Sequence, residues 1–341
     1  MANCRWPEKA FWLSRDPMGI ISSCVMAPKK PYCQIIDGVP RCPGLEPEHF
    51  RNSLNFRAEK GDLVQCTYPK AGTHWVMYTL ELILKEGDPV PNHTEFLRNV
   101  RFIGRMETEG WQSPLPVRLF STHEPLTKDT MNPEAKYVYV ARNPWDTCVS
   151  FYHMATSLSM FKFRDGTFEE FFDAFMRGDF GYGDYFDHVA SGYALRNQPN
   201  VLFLTYEDLS KDTRGAALRL AYFLGDRYGK RLEGDEDLLR TLLHRMTAEY
   251  MQDVLVLDVQ GVDPAWKTRR TETTIPYKSA YGGDNRKYQL VRNGKPGDWK
   301  SYFSPEQLRR VEAKILNRGR GAHFMELWKD IREETIAASL G

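Results

Sequence analysis

The sequence carries no surplus of charge: 46 Lys and Arg balance 45 Asp and Glu. Nucleic-acid binders show a basic excess or a basic stripe, and neither is visible, so no nucleic-acid partner is expected. A phosphate-rich ligand would have to be held by a few placed cations rather than by a general positive field. Long apolar runs are missing as well. A membrane-spanning helix needs about 18 to 20 apolar residues in succession, and the mildly apolar stretch Met18–Met26 is short and interrupted by Gly and Ser. Glu8, Lys9, Arg15 and Asp16 break the beginning of the chain, which shows no cleavable secretory pattern. A cytoplasmic protein with no membrane partner is the expectation. Cysteine is sparse: Cys4, Cys24, Cys33 and Cys42 are widely spaced with no C-x-x-C pair, which argues against zinc and disulfides. Cys66 and Cys148 lie in apolar stretches and read as buried thiols. No ligand cluster suggests a metal, and internal repeats and low-complexity tracts are absent.

What is present is ample material for a core. Over 341 residues, 42% are hydrophobic and 13% aromatic, which suits one large or two ordinary domains. Pro7, Pro17, Pro28, Pro31 and Pro40 interrupt any period early on. Residues 1–48 are therefore expected to be an irregular extension over a domain spanning 49–330, with 331–341 as a tail. Three apolar runs have strand length: Leu63–Cys66, Tyr137–Val140 and Val201–Leu204. Each precedes a segment of helical character, such as Trp75, Val76, Leu80, Ile83 and Leu84 on one helix face. That alternation predicts an α/β fold, a parallel sheet flanked by helices. Ser304-Pro305-Glu306-Gln307 reads as a capped helix start.

The segment Thr67–Trp75 joins the first of these strands to its helix. Such a junction can hold a phosphate on backbone N–H groups and the positive helix end. Gly72 lets the backbone approach a ligand, Lys70 adds a mobile cation and Thr73 a hydroxyl. Nucleoside-triphosphate loops read G-x-x-x-x-G-K-S/T. Lys70 instead precedes the loop's only Gly, so an ATP- or GTP-hydrolysing enzyme is disfavoured. Alternatively the segment is a strand–helix turn with an incidental Lys. A second strand–turn–helix runs through Ala141-Arg142-Asn143-Pro144, where Arg142 would project into the crevice at the strand's carboxyl end. Its guanidinium suits a phosphate dianion, or pairs with Asp146. Ser150 follows two turns later.

The string Thr67-Tyr68-Pro69-Lys70-Ala71-Gly72-Thr73-His74-Trp75 resembles the donor loop of the cytosolic sulfotransferases, T-Y-P-K-S/A/T-G-T-T/H/N-W. Further landmarks follow in family order over roughly residues 49–325. The resemblance implies a strand–loop–helix related to that of P-loop kinases, with 3'-phosphoadenosine 5'-phosphosulfate (PAPS) as donor, PAP as product and no metal. The implied donor contacts are Lys70, Ala71, Gly72, Thr73, His74 and Trp75 in the loop, and Arg142 and Ser150 at the ribose 3'-phosphate. Tyr206, in a Y-E-D-L string, would meet the adenine together with Trp75 and Thr247; without that context the two rings read as core. Leu290, Arg292, Asn293 and Gly294 lead into Gly297-Asp298-Trp299-Lys300, resembling R-K-G-x-x-G-D-W-K. Asn293 stands where the family has Lys, so one phosphate contact is weakened to a neutral hydrogen bond.

Eight His residues are candidates for a general base: His49, His74, His93, His123, His153, His188, His244 and His323. The setting of His123, Arg118-Leu119-Phe120-Ser121-Thr122-His123-Glu124-Pro125-Leu126, resembles the family's R-L-L/I-K-T/S-H-x-P-L, in which the His is the base. Catalytic roles thereby fall on His123, Lys70 and Ser150. Ser121 replaces the family's Lys, and His74 is expected to compensate in part. By position, the acceptor pocket draws on Phe102, Met154, Tyr182 and Tyr185. Phenols, catecholamines and steroids share these motifs. The segment Ser150–Phe163 holds no acid to receive an amine, which favours a small-molecule phenol over a monoamine. A donor-binding but weakly active homologue and a nucleotide kinase-like phosphotransferase remain as alternatives. The family's dimer segment, K-x-x-x-T-V-x-x-x-E, here runs from Lys300 to Arg309 with Ser304-Pro305 at its centre. A monomer is expected.

Overall fold

The computed structural model describes residues 30–258 and 287–341. The first described segment forms a hairpin, β1 (Gln34–Ile36) with β2 (Val39–Arg41). Asp37 and Gly38 turn it with φ of 51° and 79°, the left-handed pair that a two-residue hairpin loop requires. This part of the expected irregular extension is thus ordered, and it packs on the domain: Tyr32 donates its N–H to the Phe161 carbonyl, and Cys42 is buried. Cys4 and Cys24 lie outside the described residues.

The central sheet consists of β3 (Leu63–Thr67), β4 (Val100–Phe102), β5 (Leu119–Thr122), β6 (Lys136–Ala141) and β7 (Val201–Thr205). Every pairing is parallel and the order is β4-β5-β3-β6-β7. Helices cover both faces, which is why all of β3 is buried. Period-two alternation divides two cores. Along β6, Tyr137, Tyr139 and Ala141 face a core with the helices Pro144–Ser157, Phe168–Arg177 and Tyr185–Ala194, while Val138 and Val140 face one with Thr73–Leu84 and Thr213–Leu224. The chain goes from β3 to β4 and β5 on one side and then crosses to β6 and β7 on the other. The crevice at the carboxyl ends of β3, β5 and β6 is therefore a topological switch point, where open α/β sheets bind ligands.

Local signals read from the sequence act as expected. The Asn143 side chain caps the Pro144 helix, and Ser304 and Gln307 complete a capping box around Pro305. Cys66 and Cys148 are fully buried. Strands β8 (Val256–Asp258) and β9 (Lys287–Gln289) form a separate antiparallel pair. Residues set apart as a tail continue the helix Lys329–Ser339. Arg332 grips Glu312 through two hydrogen bonds of 2.9 and 2.6 Å, and Thr335 and Ser339 are buried. No helix among the described residues is long and apolar enough to cross a membrane.

Candidate active site

The loop after β3 is shaped to hold an anion. Lys70 (φ 71°) and Gly72 (φ 99°) are both left-handed, a geometry that turns successive N–H groups inward. A Cβ at Gly72 would come within 3.0 Å of the Tyr206 ring, so only Gly fits both the dihedral and the space. Lys70 accepts the left-handed backbone at a cost of about 1 kcal/mol or more, as non-Gly residues do at functional turns. Buried hydrogen bonds fix the start of the following helix. Thr67 Oγ1 and Thr73 Oγ1 are 2.8 Å apart, and Gln65 Nε2 donates to the Thr73 carbonyl at 3.0 Å. Ser121, fully buried on β5, donates to Gln65 Oε1 at 3.2 Å and so braces this junction. Burial, with Arg292 and Arg142 nearby, lowers the Lys70 ammonium to about 8.

Arg142 projects from the end of β6, and its contacts leave capacity for a ligand. Two carbonyls, of Lys70 and Lys295, accept from it at 3.4 Å each, and its guanidinium lies 4.2 Å from the Tyr206 ring centroid. Among the described residues its buried Nε has no partner, and neither has the buried Nε1 of Trp75, whose ring meets Tyr206 edge-on at 5.2 Å. Orphaned buried donors are rare, and these two flank one ring. Asp146 is 4.0 Å from Arg142, but its oxygens serve elsewhere. They accept from Asn143 Nδ2 at 2.9 Å, Gly297 N at 2.8 Å and Trp299 N at 3.2 Å. Asp146 thereby anchors the Arg292–Trp299 segment to the Pro144 helix, on which Ser150 is also buried. Within that segment Arg292 pairs with Asp298, and the Asn293 amide donates to Asp298 at 2.9 Å rather than pointing a charge outward. Gly294 sits against Ala248, beside Thr247. Thr247 spends its hydroxyl capping its own helix and donating to the His244 carbonyl at 2.8 Å, while Leu290 donates its N–H to Leu255.

His123 stands at the end of β5, next to this loop. Its Nδ1 donates to the Thr67 carbonyl at 2.8 Å, which leaves Nε2 as the acceptor. Its own carbonyl accepts from His188 Nε2 at 3.1 Å, and His188 Nδ1 lies 2.7 Å from the Tyr139 hydroxyl. Burial, with Arg105, His188 and Lys70 adding to it against the Thr67 hydrogen bond, lowers the imidazole to about 3, so the ring is neutral at working pH. His123 lines a cleft with Phe102, Ile103, Arg105, Ser121 and Tyr182, to which Leu45 and Phe50 also contribute. His74 packs near Phe102, with 5.9 Å between centroids, and burial and His93 hold it neutral too.

A model of the sulfotransferase domain matches residues 60–318. The chain belongs to the sulfotransferase family. It is a sulfotransferase, an enzyme that moves a sulfonate group onto an acceptor. Mouse sulfotransferase 2B1 is 30% identical over 285 residues, covering 79% of this chain and 75% of the relative. The 3-alpha-hydroxysteroid sulfotransferase of Cavia porcellus is 31% identical over 273 residues, covering 77% and 85%. Among solved structures, mouse sulfotransferase SULT7A1 complexed with PAP has a TM-score of 0.60 at 22% identity and covers 89% of this chain and 99% of that one. Retinol dehydratase in complex with androsterone and PAP gives 0.59 at 23%. These two structures establish the fold.

The sulfotransferase brings most of the residues singled out by motif to one crevice. Phe102 and Tyr182 line the cleft beside His123, whereas Met154 and Tyr185 are not among its lining residues. Tyr185 is buried and donates to the Arg142 carbonyl at 2.5 Å, a bracing contact. Several contributors were not anticipated. Arg105 and Glu124 line the cleft, and Glu207 braces the β6 turn by accepting from Asn143 N at 3.1 Å and Trp328 Nε1 at 2.6 Å. Glu124 and Glu207 are chain neighbours of His123 and Tyr206 whose roles no pattern names, whereas Arg105 is brought to the site only by the fold. Asp146 is the clearest structural dependency. Asp146→Ala strips the acceptor from the N–H groups of Gly297 and the buried Trp299, each worth about 1–3 kcal/mol, while Asn143 Nδ2 keeps Glu207 Oε1 at 2.6 Å. We expect a loss of about 2 kcal/mol or more in chemical denaturation, with Asp146→Asn losing less.

Proposed function

We propose that the protein transfers the sulfonate of PAPS to the hydroxyl of a small, phenolic acceptor, with His123 as general base, and that it acts in the cytoplasm. The observation that carries the reading is the hydrogen bond from His123 Nδ1 to the Thr67 carbonyl. It places a neutral imidazole acceptor at the cleft and, through the same residue, beside the anion-holding loop. The donor fits the groups present. Its phosphates would take the loop N–H groups, Lys70 and the Arg142 guanidinium, whose Nε has no partner among the described residues, with Ser150 adding a hydroxyl. Its adenine would meet Trp75 and Tyr206. In the transfer, the acceptor oxygen forms a bond to sulfur as the sulfur–oxygen bond to the phosphate breaks. The bridging oxygen leaves with PAP, and the hydroxyl proton passes to His123 Nε2. Lys70 and the loop offset the charge that grows on the leaving oxygen.

The binding-only and kinase-like alternatives lack comparable support. Neutral His123 at the cleft suits a base, and the loop has Lys70 ahead of a single Gly. We further propose a monomer. Lys300 is paired with Glu334 at 2.6 Å, and Arg309 with Glu306 at 3.0 Å and with the Ser339 carbonyl at 2.6 Å. Both cations are engaged within the chain, and light scattering should return the 39.6 kDa of one chain at micromolar concentration.

His123→Ala should lower kcat with PAPS and 4-nitrophenol or 2-naphthol by about a hundredfold or more, with PAP affinity little changed. The loss should be smaller for the more acidic nitrophenol. Unchanged turnover would remove the base. For Lys70 the sign of the pH effect follows from its lowered value. A bound anion favours the ammonium, so binding takes up a proton once Lys70 is neutral. PAP affinity should hold below pH 8 and weaken above it, approaching tenfold per pH unit. Titration calorimetry reads this, and Lys70→Ala should bind more weakly with that dependence gone.

A further inference from the structure

Arg105 faces the acceptor cleft without a counter-ion. Its guanidinium donates to neutral groups: the Tyr182 hydroxyl at 2.9 Å and Cys42 Sγ at 3.2 Å. Among the described residues no carboxylate pairs with it. Glu124, which lines the cleft, is engaged by Arg41 at 3.3 Å, and Glu107, two residues beyond Arg105 in the chain, lies 3.7 Å from His49. The hairpin holds this arrangement in place. Gly181, at φ 108°, lets the backbone of Arg41 and Cys42 approach so closely that a Cβ there would lie 2.6 Å from it. A guanidinium kept half-buried among Phe102, Ile103 and Tyr182 has lost water that neutral partners replace poorly. Such a group is normally matched by an anion, and a carboxylate fits its planar fork.

We propose that Arg105 is a specificity-determining residue that selects acceptors carrying a carboxylate as well as the reacting hydroxyl. The inference rests on the sulfonate-transfer reading of the same cleft and narrows its acceptor class to small hydroxy-aromatic acids. Geometry sets their size. Tyr182 hydrogen-bonds Arg105 through its hydroxyl and meets the His123 ring edge-on at 5.9 Å between centroids. The anion site and the base are therefore separated by about the span of one aromatic side chain. A molecule with a phenol at one end and a carboxylate at the other places its hydroxyl at His123 Nε2 while its acid meets Arg105. Chemistry at the hydroxyl is unchanged: sulfur gains the acceptor oxygen, PAP departs with the bridging oxygen, and the proton goes to His123. The acceptor's negative charge also offsets the Arg105 field at His123, which favours the imidazolium that forms as the bond is made.

The test is a charge series on one scaffold: 4-hydroxyphenylacetate, its methyl ester and tyramine, each with PAPS and the full-length enzyme. The expected result is that kcat/KM for the acid exceeds that for the ester by about ten- to a hundredfold, the usual worth of a hydrogen bond to a charged group. Tyramine should be the poorest. Arg105→Gln should abolish the preference by lowering the acid alone, and Arg105→Lys should restore part of it. Retained PAP affinity and an unchanged melting temperature show that each variant is folded. A wild-type preference for the ester overturns the proposal, as does an equal fall for acid and ester in Arg105→Gln. A preference for tyramine also overturns it and assigns selectivity to Glu124. Should no acceptor be sulfated, calorimetry on the PAP-loaded protein decides. Tighter binding of the acid than of the ester, lost in Arg105→Gln, upholds the anion site and sinks the transfer reading, whereas equal binding sinks the anion site.

Discussion

A single hydrogen bond, from the His123 ring to the carbonyl of Thr67, joins the two halves of the site. Thr67 closes β3 and opens the anion loop, while His123 closes β5, the neighbouring strand. Parallel pairing brings the two strand ends side by side, and the bond then fixes both the orientation and the tautomer of the imidazole. The same threonine reaches Thr73 with its hydroxyl, so imidazole, loop and helix start share one anchor. Behind it, Ser121, Gln65, His188 and Tyr139 form a second layer of hydrogen bonds, and all four are buried. Geometry of this kind costs little to maintain during reaction because it is built from strands with both faces covered.

The electrostatics invert the overall composition. A chain that is nearly neutral gathers Lys70, Arg142 and Arg292 around one crevice and places Arg105 in the adjoining cleft. Burial first, and these neighbouring cations after it, depress the ammonium of Lys70 and the imidazole of His123. Both groups sit in a field designed for negative partners, and each moves toward its ordinary value when such partners arrive. The site is thus polarised in advance for anions, and its charge arrangement, rather than any general basic surface, does the selecting.

Much of this was legible in the sequence, because the relevant signals are local. Strand–helix alternation, the Asn143-Pro144 and Ser304-Pro305 helix starts and the Thr67–Trp75 loop each depend on a handful of adjacent residues. The hairpin is hard to read although Ile36-Asp37-Gly38-Val39 carries a two-residue turn signal, because the surrounding prolines break any strand period. Strand β4 escaped because three residues offer no period. Sequence spacing pairs Asp146 with Arg142, and the two lie 4.0 Å apart. Its shorter contacts with Gly297 and Trp299 are brought to it only by tertiary packing. Arg105 belongs to no pattern, and the acid that lines the cleft, Glu124, lies outside Ser150–Phe163. Side chains that acquire meaning through long-range contacts leave no local mark.

The hairpin carries a consequence for how this scaffold could be altered. On the proposed reading the donor meets the ends of β3, β6 and β7 and the segment that Asp146 anchors, whereas the rim around Arg105 is built in part by Cys42 and Leu45, which precede the sheet in the chain. Recognition of the two substrates is therefore divided between stretches of sequence that can be exchanged separately. A graft of residues 30–48 would re-tailor the mouth of the cleft like a changeable collar, leaving the transfer machinery beneath it untouched.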